Sequence, residues 1–137
     1  MTKLSLKEIH LIYDLCGIIK KHNNDIELEV DIDFNNLVHI YSDDYSVEFR
    51  YVVFYGYITV SRIQFRNRNS WCMTECFNEL LRYSGGWYDK IIVQAVSTYA
   101  MYSWCKKFGL NISEATEPME FKDGDNVFPY GDYVRKI

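Results

Sequence analysis

The stretch from Gly56 to Leu110 constrains this chain most, because its apolar residues change period from element to element with almost nothing spare between them. Tyr57–Phe65 (YITVSRIQF) is rich in β-branched and aromatic residues and reads as a strand. Arg66-Asn67-Arg68-Asn69-Ser70 follows as a short polar loop. Met73, Phe77, Leu80 and Leu81 then recur at the spacing of an amphipathic helix, which Ser84-Gly85-Gly86 stops. Lys90–Val96 (KIIVQAV) is a nearly continuous apolar run, the pattern of a buried strand. Ser97 is placed to cap a second helix, whose apolar positions are Met101, Trp104, Cys105 and Phe108, and Gly109 closes it. Two strands joined through a helix in this way run parallel, with a right-handed crossover. The loop after the first strand meets a helix N-terminus, where free N–H groups and the helix dipole favour an anion. Arg62, Arg66 and Arg68 stand in or beside that loop, on a chain whose net charge is −4.

The rest of the chain adds an antiparallel front. Ser5-Leu6-Lys7-Glu8 has the form of a capping box, and Ile9, Ile12, Tyr13, Cys16 and Ile19 make one stripe of a helix over residues 5–21. Asp25–Phe34 (DIELEVDIDF) alternates throughout. Ile26, Leu28, Val30, Ile32 and Phe34 take one face, and Asp25, Glu27, Glu29, Asp31 and Asp33 take the other. That pattern predicts a half-buried antiparallel strand with a wet acidic side. Leu37–Tyr41 and Tyr45–Phe54 continue as a meander, the second with Val47, Phe49, Tyr51 and Val53 inward. After Gly109, Leu110–Ile112 is expected as a short strand, 114–118 and 122–126 as loops, and Asn126–Ile137 as a final strand with Pro129 and Gly131 at an edge or bulge. The fold class that follows is α+β: one domain over residues 1–137, a mixed sheet with an antiparallel N-terminal meander and a parallel central pair, flanked by helices.

With 137 residues, 48% of them apolar, the chain can bury a real core. An acidic balance argues against nucleic acid or an anionic membrane as a partner for the whole surface. No apolar run approaches the roughly 20 residues that span a bilayer, and MTKLSLKEIH lacks the form of a signal peptide, so the expected location is the cytoplasm. Cys16, Cys72, Cys76 and Cys105 lie among apolar helical neighbours with no partner set for zinc, the setting of ordinary reduced thiols; no metal site is expected.

This layout, with the residues inside it, resembles the GNAT N-acetyltransferase superfamily, most clearly over Tyr57–Leu110. IIVQAVSTYAMYSWCKKFGL is similar to the family's late strand and helix, which usually end in a Lys-x-Gly-Phe-like sequence; here the ending is Lys107-Phe108-Gly109-Leu110. The family's acyl-CoA loop has the form Arg/Gln-x-x-Gly-x-Gly/Ala. The matching segment is Arg68-Asn69-Ser70-Trp71-Cys72-Met73, which keeps the arginine and replaces both small residues, a degenerate loop. The family's frequent late-helix tyrosine falls on Cys105. The resemblance implies that acetyl-CoA lies between the splayed ends of the two parallel strands. Backbone groups of Ile63, Gln64 and Phe65 would pair with the pantetheine arm. The loop carrying Arg66, Arg68, Trp71, Cys72 and Met73 would hold the pyrophosphate, and Ser97 would stand on the opposite strand's end. An amine, on a small molecule or a protein, would attack the thioester directly, with a base to deprotonate it. Glu48 on a central strand and Tyr130 near the C-terminus are the candidate catalytic residues.

Two functions stay open on these residues. One is an acetyl-CoA-dependent N-acetyltransferase. The other is a catalytically inactive binding or inhibitor module on the same fold, since fold does not fix function. In that case Glu27, Glu29 and Asp31 would meet a basic partner protein. Alternate strand residues lie about 6.6 Å apart, comparable with phosphate spacing along an extended nucleic-acid strand, so a small phage-encoded inhibitor of a nucleic-acid enzyme would fit. Trp71 separates the two. Its indole is expected either to turn inward onto the following helix or to lie across the cofactor groove.

Overall fold

The computed structural model describes residues 4–54, 56–66, 70–83, 88–114 and 119–137. The elements run α1 (Leu6–His22), β1 (Glu29–Ile32), β2 (Leu37–Tyr41), β3 (Glu48–Phe54), β4 (Gly56–Gln64), α2 (Ser70–Arg82), β5 (Tyr88–Val96), α3 (Tyr99–Lys107), β6 (Asn111–Ile112), β7 (Met119–Asp123) and β8 (Asn126–Lys136). The strands form one open mixed sheet in the order β1-β2-β3-β4-β5-β8-β6, with β7 paired to the first half of β8. β1 to β4 are an antiparallel meander. β4 and β5 are parallel neighbours, as the helix between them requires. The protein is thus α+β, with a parallel pair at the centre of an otherwise antiparallel sheet.

The helices gather on one face of the sheet. Phe77 of α2 meets Phe49 of β3 edge to face and Trp104 of α3 at 4.6 Å between ring centroids. Leu11, Leu15 and Ile19 of α1 belong to the same buried cluster as Phe49, Tyr51, Ile58, Val60, Ile91 and Val93. Strand side chains alternate between faces, so the other face carries Glu29 and Asp31 of β1, His39 and Tyr41 of β2, Glu48 and Arg50 of β3, and Arg62 of β4, aligned by the cross-strand register.

Several expectations need correction. The strand predicted over 25–34 shortens to Glu29–Ile32, and all four of its residues are exposed. Asn24 and Asp25 take positive φ angles of 56° and 58°, and Asp25 and Ile26 donate back to Lys20 and Asn23. That turn uses up the first residues of the segment. As the outermost strand, β1 keeps Val30 and Ile32 37% and 38% exposed and Phe34 83% exposed. The buried stripe of α1 is Leu11, Ile12, Leu15 and Ile19, rotated from the expected one, and Tyr13 faces solvent. β3 begins at Glu48 rather than Tyr45, because Tyr45 has φ 56° in the preceding turn. The cap of α3 is Thr98, whose hydroxyl accepts from Met101 N–H, and not Ser97. Residues 122–126, expected as loop, belong to a hairpin in which Asp123 pairs Asn126 around Gly124, at φ 61°. The expected helix stop Ser84-Gly85-Gly86 lies outside the described residues, as do Tyr55, 67–69 and 115–118. Among the described residues no helix is long and apolar enough to cross a membrane.

Candidate functional site

β4 and β5 pair from Gly56 and Tyr88 up to Val60 and Val93, and there the pairing ends. Irregularities on both strands meet at this level. On β4, Tyr51 pairs Val60 and Arg50 pairs Arg62, so Ser61 is an extra residue without a partner on β3. On β5, Val93 pairs Tyr133 while Val96 pairs Gly131, so β5 also carries one residue more than its partner strand. Bulges of this kind bend a strand and end its pairing. Ala95 takes φ 52° there, a left-handed conformation that costs a residue with a Cβ about 1 kcal/mol. Its N–H is held by the Asp132 carboxylate at 2.9 Å. Non-glycine residues held in such conformations cluster at ligand sites.

The parted ends enclose a cleft of about 200 Å³, walled by Ser61, Arg62 and Ile63 on one side and by Gln94 to Ser97 on the other, with Met101 of α3 also lining it. Beyond Val60 no residue of β4 pairs with β5. The backbone donors and acceptors that point sideways from a strand are therefore open toward the cleft along this edge. An extended chain carrying amide groups can use them as an added strand would.

The expected site residues are distributed unevenly around this cleft. Ile63 and Ser97 line it. Gln64 lies farther along β4 opposite Glu48, and Phe65 stacks parallel to Phe49 with centroids 6.3 Å apart. Arg66 turns away. Its Nη2 meets Asp44 at 2.9 Å, its Nε donates to Ser46 at 2.6 Å, and its backbone N–H donates to the buried Asn23. Asp44 is a settled anion, held well below the usual carboxylate range by the hydroxyl and N–H of Ser46 and by the Ser42 hydroxyl. Arg68 lies outside the described residues. Trp71 is 69% exposed, so its indole does not turn into the core, and it is not part of the cleft lining. Cys72 is fully buried and Met73 half-buried against the core. The start of α3 is answered from within the chain, because Tyr99 N–H donates to the Asp123 carboxylate of β7 at 2.9 Å. That arrangement has no local sequence signal.

Glu48 is where chemistry was expected and where the structure places a side chain of unusual setting. Its side chain is only 7% exposed. Oε2 lies 2.9 Å from His39 Nε2, and Oε1 accepts from Arg62 Nε at 3.0 Å. Burial acts to raise its pKa, but the hydrogen bonds from Arg62 and His39, with their charges, outweigh it and hold the group below its ordinary value. A low pKa with both oxygens engaged makes Glu48 a weak proton acceptor and a strong anchor. It fixes Arg62, which lines the cleft. Tyr130 lies in the β7–β8 hairpin with its ring against Phe121 at 5.6 Å, and it does not line the cleft. Glu27, Glu29 and Asp31 are exposed, and Asp31 accepts from the Tyr41 hydroxyl at 2.8 Å.

Burial pushes the Cys105 thiol up to about 12 and raises Cys16 too, while Cys76 is raised by its contact with Cys72 and by burial. None of these three sulfurs is poised as a nucleophile at neutral pH. Among the described residues no group of three or more His, Cys, Asp or Glu side chains is arranged to hold a metal ion.

No protein-family model matches this chain, and no curated protein is significantly similar to it in sequence.

Proposed function

We propose that the cleft between the parted ends of β4 and β5 receives the pantetheine arm of an acyl-CoA, and that the protein is a GNAT-like acetyl transferase to an amine whose hold on the pyrophosphate is weak. The observation that carries this is the open backbone edge of β4 after Val60, facing Ala95 across a cleft about 200 Å³ in volume. A pantetheine chain has two amides at intervals suited to a strand edge. When bound, the thioester supplies the activated acetyl group. Ser61 to Ile63 and Gln94 to Ser97 would orient the chain, and Glu48 keeps Arg62 at the cleft wall. The weak hold on the pyrophosphate follows from Arg66, engaged by Asp44 and Ser46, and from Cys72, whose side chain is in the core.

The test compares acetyl-CoA with S-acetylpantetheine, which lacks the nucleotide and the diphosphate, by amide NMR titration. Both are expected to shift Ser61–Ile63 and Gln94–Ser97, with dissociation constants within about tenfold of each other, equal to about 1.4 kcal/mol. A thermal scan with millimolar acetyl-CoA is expected to show little shift, since a clear one needs a concentration far above Kd. Absence of amide shifts with both ligands overturns the proposal. A large thermal shift with acetyl-CoA alone restores a working diphosphate site.

A second reading rests on a different observation. β1 is an edge strand with every residue exposed, and Glu27, Glu29 and Asp31 project from it and from the segment before it. In an inactive binding module on this fold, that face would meet a basic partner protein. Reversing the three charges would then abolish the complex.

A further inference from the structure

Among the described residues, the open face of the sheet carries one arginine, Arg50, whose buried Nε has no hydrogen-bond partner. Arg50 sits at the centre of a cross-strand row, between His39 of β2 and Arg62 of β4. One residue pair along the same face, Glu48 binds both of those neighbours and compensates Arg62. Asp31, beyond His39 in the row, accepts from the Tyr41 hydroxyl. Arg50 itself is half-buried, and its Nε is shielded from solvent without a hydrogen-bond partner. It is the only such side-chain atom among the described residues. Buried polar groups are nearly always bonded, and a charged one left unbonded is costly, so each exception calls for a cause.

We propose that Arg50, together with the neighbouring Arg62, forms an anion-binding subsite on the open sheet face at the edge of the β4–β5 cleft, and that it takes a carboxylate or phosphate group of the bound ligand. The guanidinium fork matches both oxyanions in geometry. Glu48 uses its two oxygens on His39 and Arg62 and offers none to Arg50. An external oxyanion can therefore answer Arg50 without breaking the existing pairs. Arg62 is shared between this row and the cleft wall. On the acyl-thioester reading of the cleft, on which this last step rests, the amine acceptor is one that carries a carboxylate or phosphate. The anion contact itself stands on Arg50 alone.

The test is a titration of the native protein followed through arginine Nε–Hε resonances, with the Arg50 signal assigned by its loss in Arg50→Lys. Sodium acetate and sodium phosphate are the probes, against sodium chloride at matched ionic strength. The Arg50 signal is expected to move saturably with acetate or phosphate and not with chloride, and the tighter of the two names the ligand's anionic group. Arg50→Lys keeps the charge and loses Nε, and it is expected to weaken that binding at least about tenfold, read at the Arg62 and Ile63 amides. An identical, non-saturating drift with all three salts overturns the proposal. Saturable anion binding in a protein that ignores both acetyl-CoA and S-acetylpantetheine supports the anion subsite and removes the cleft assignment, so the two failures are separable.

Discussion

The two faces of the sheet obey different rules. On the helix-covered face, Phe49, Ile58, Val60, Phe77 and Ile91 are completely buried, and each is surrounded by apolar neighbours. On the open face, Glu48 is almost as buried, but its partners are His39 and Arg62, and the next residue on that face of β3 is Arg50, whose Nε has no hydrogen-bond partner. The first face holds the fold together by area removed from water. The second holds charges in fixed positions, which stabilises little and positions much. The cleft lies where the two meet, at the point where β4 and β5 stop pairing.

The largest effect belongs to the covered face. Phe77→Ala removes the ring that joins β3 to α3, and it is expected to cost about 3–5 kcal/mol of stability in urea unfolding. A loss below about 1 kcal/mol would mean that α2 is not central to the core.

Glu48→Gln comes next, at about 1–3 kcal/mol near neutral pH, because it leaves Arg62 and His39 without their shared anion. The sign with pH is fixed. A carboxyl whose folded pKa lies below its unfolded value contributes stability that is complete above that unfolded value, near 4.5, and is lost as pH falls through the folded one. Melting temperatures of the wild type and Glu48→Gln should therefore converge below about pH 4.5. A constant gap down to pH 3 would place the effect in packing instead of charge.

A smaller contrast tests the bulge. Ala100→Gly in the first turn of α3 should cost about 0.8–1 kcal/mol, the usual helix penalty. Ala95→Gly should cost nothing or stabilise slightly, because glycine accepts the φ of 52° without strain. Equal losses at the two sites would remove the argument that β5 is strained at the cleft.

Smallest of all, reversing Glu27, Glu29 and Asp31 to lysine together should change stability by less than about 1 kcal/mol, since these side chains are exposed. A larger loss would show that the acidic side of β1 is structural.

Much of the fold was legible. Met73 and Phe77 announce α2 by their spacing, and IIVQAV announces β5 by its unbroken apolar run, so the parallel pair followed from connection length alone. β7 was not legible. All five of its residues are exposed, and a strand that buries nothing leaves no alternation to read. β1 failed in the opposite direction, since DIELEVDIDF alternates fully, yet only Ile26 and Leu28 pack against the core, and Val30, Ile32 and Phe34 have too little of the protein above them to be buried. Of the cofactor residues implied by resemblance, Ile63 and Ser97 line the cleft, whereas Arg66 is engaged with Asp44 and Ser46 and Cys72 with the core.

The sequence by itself determined the order of helices and strands through α3, the parallel central pair and the apolar residues that β3 and α2 turn to the covered face, but not the buried stripe of α1. These depend on short-range periodicity, which local residues carry in full. Only the tertiary structure decided that Glu48 binds His39 and Arg62, that Asp132 reaches across to Ala95, that Asp123 closes the start of α3 and that Arg50 Nε is left without a hydrogen-bond partner. Each of these joins residues from different elements, and which charge meets which is set by sheet register and by the two bulges, not by any local pattern.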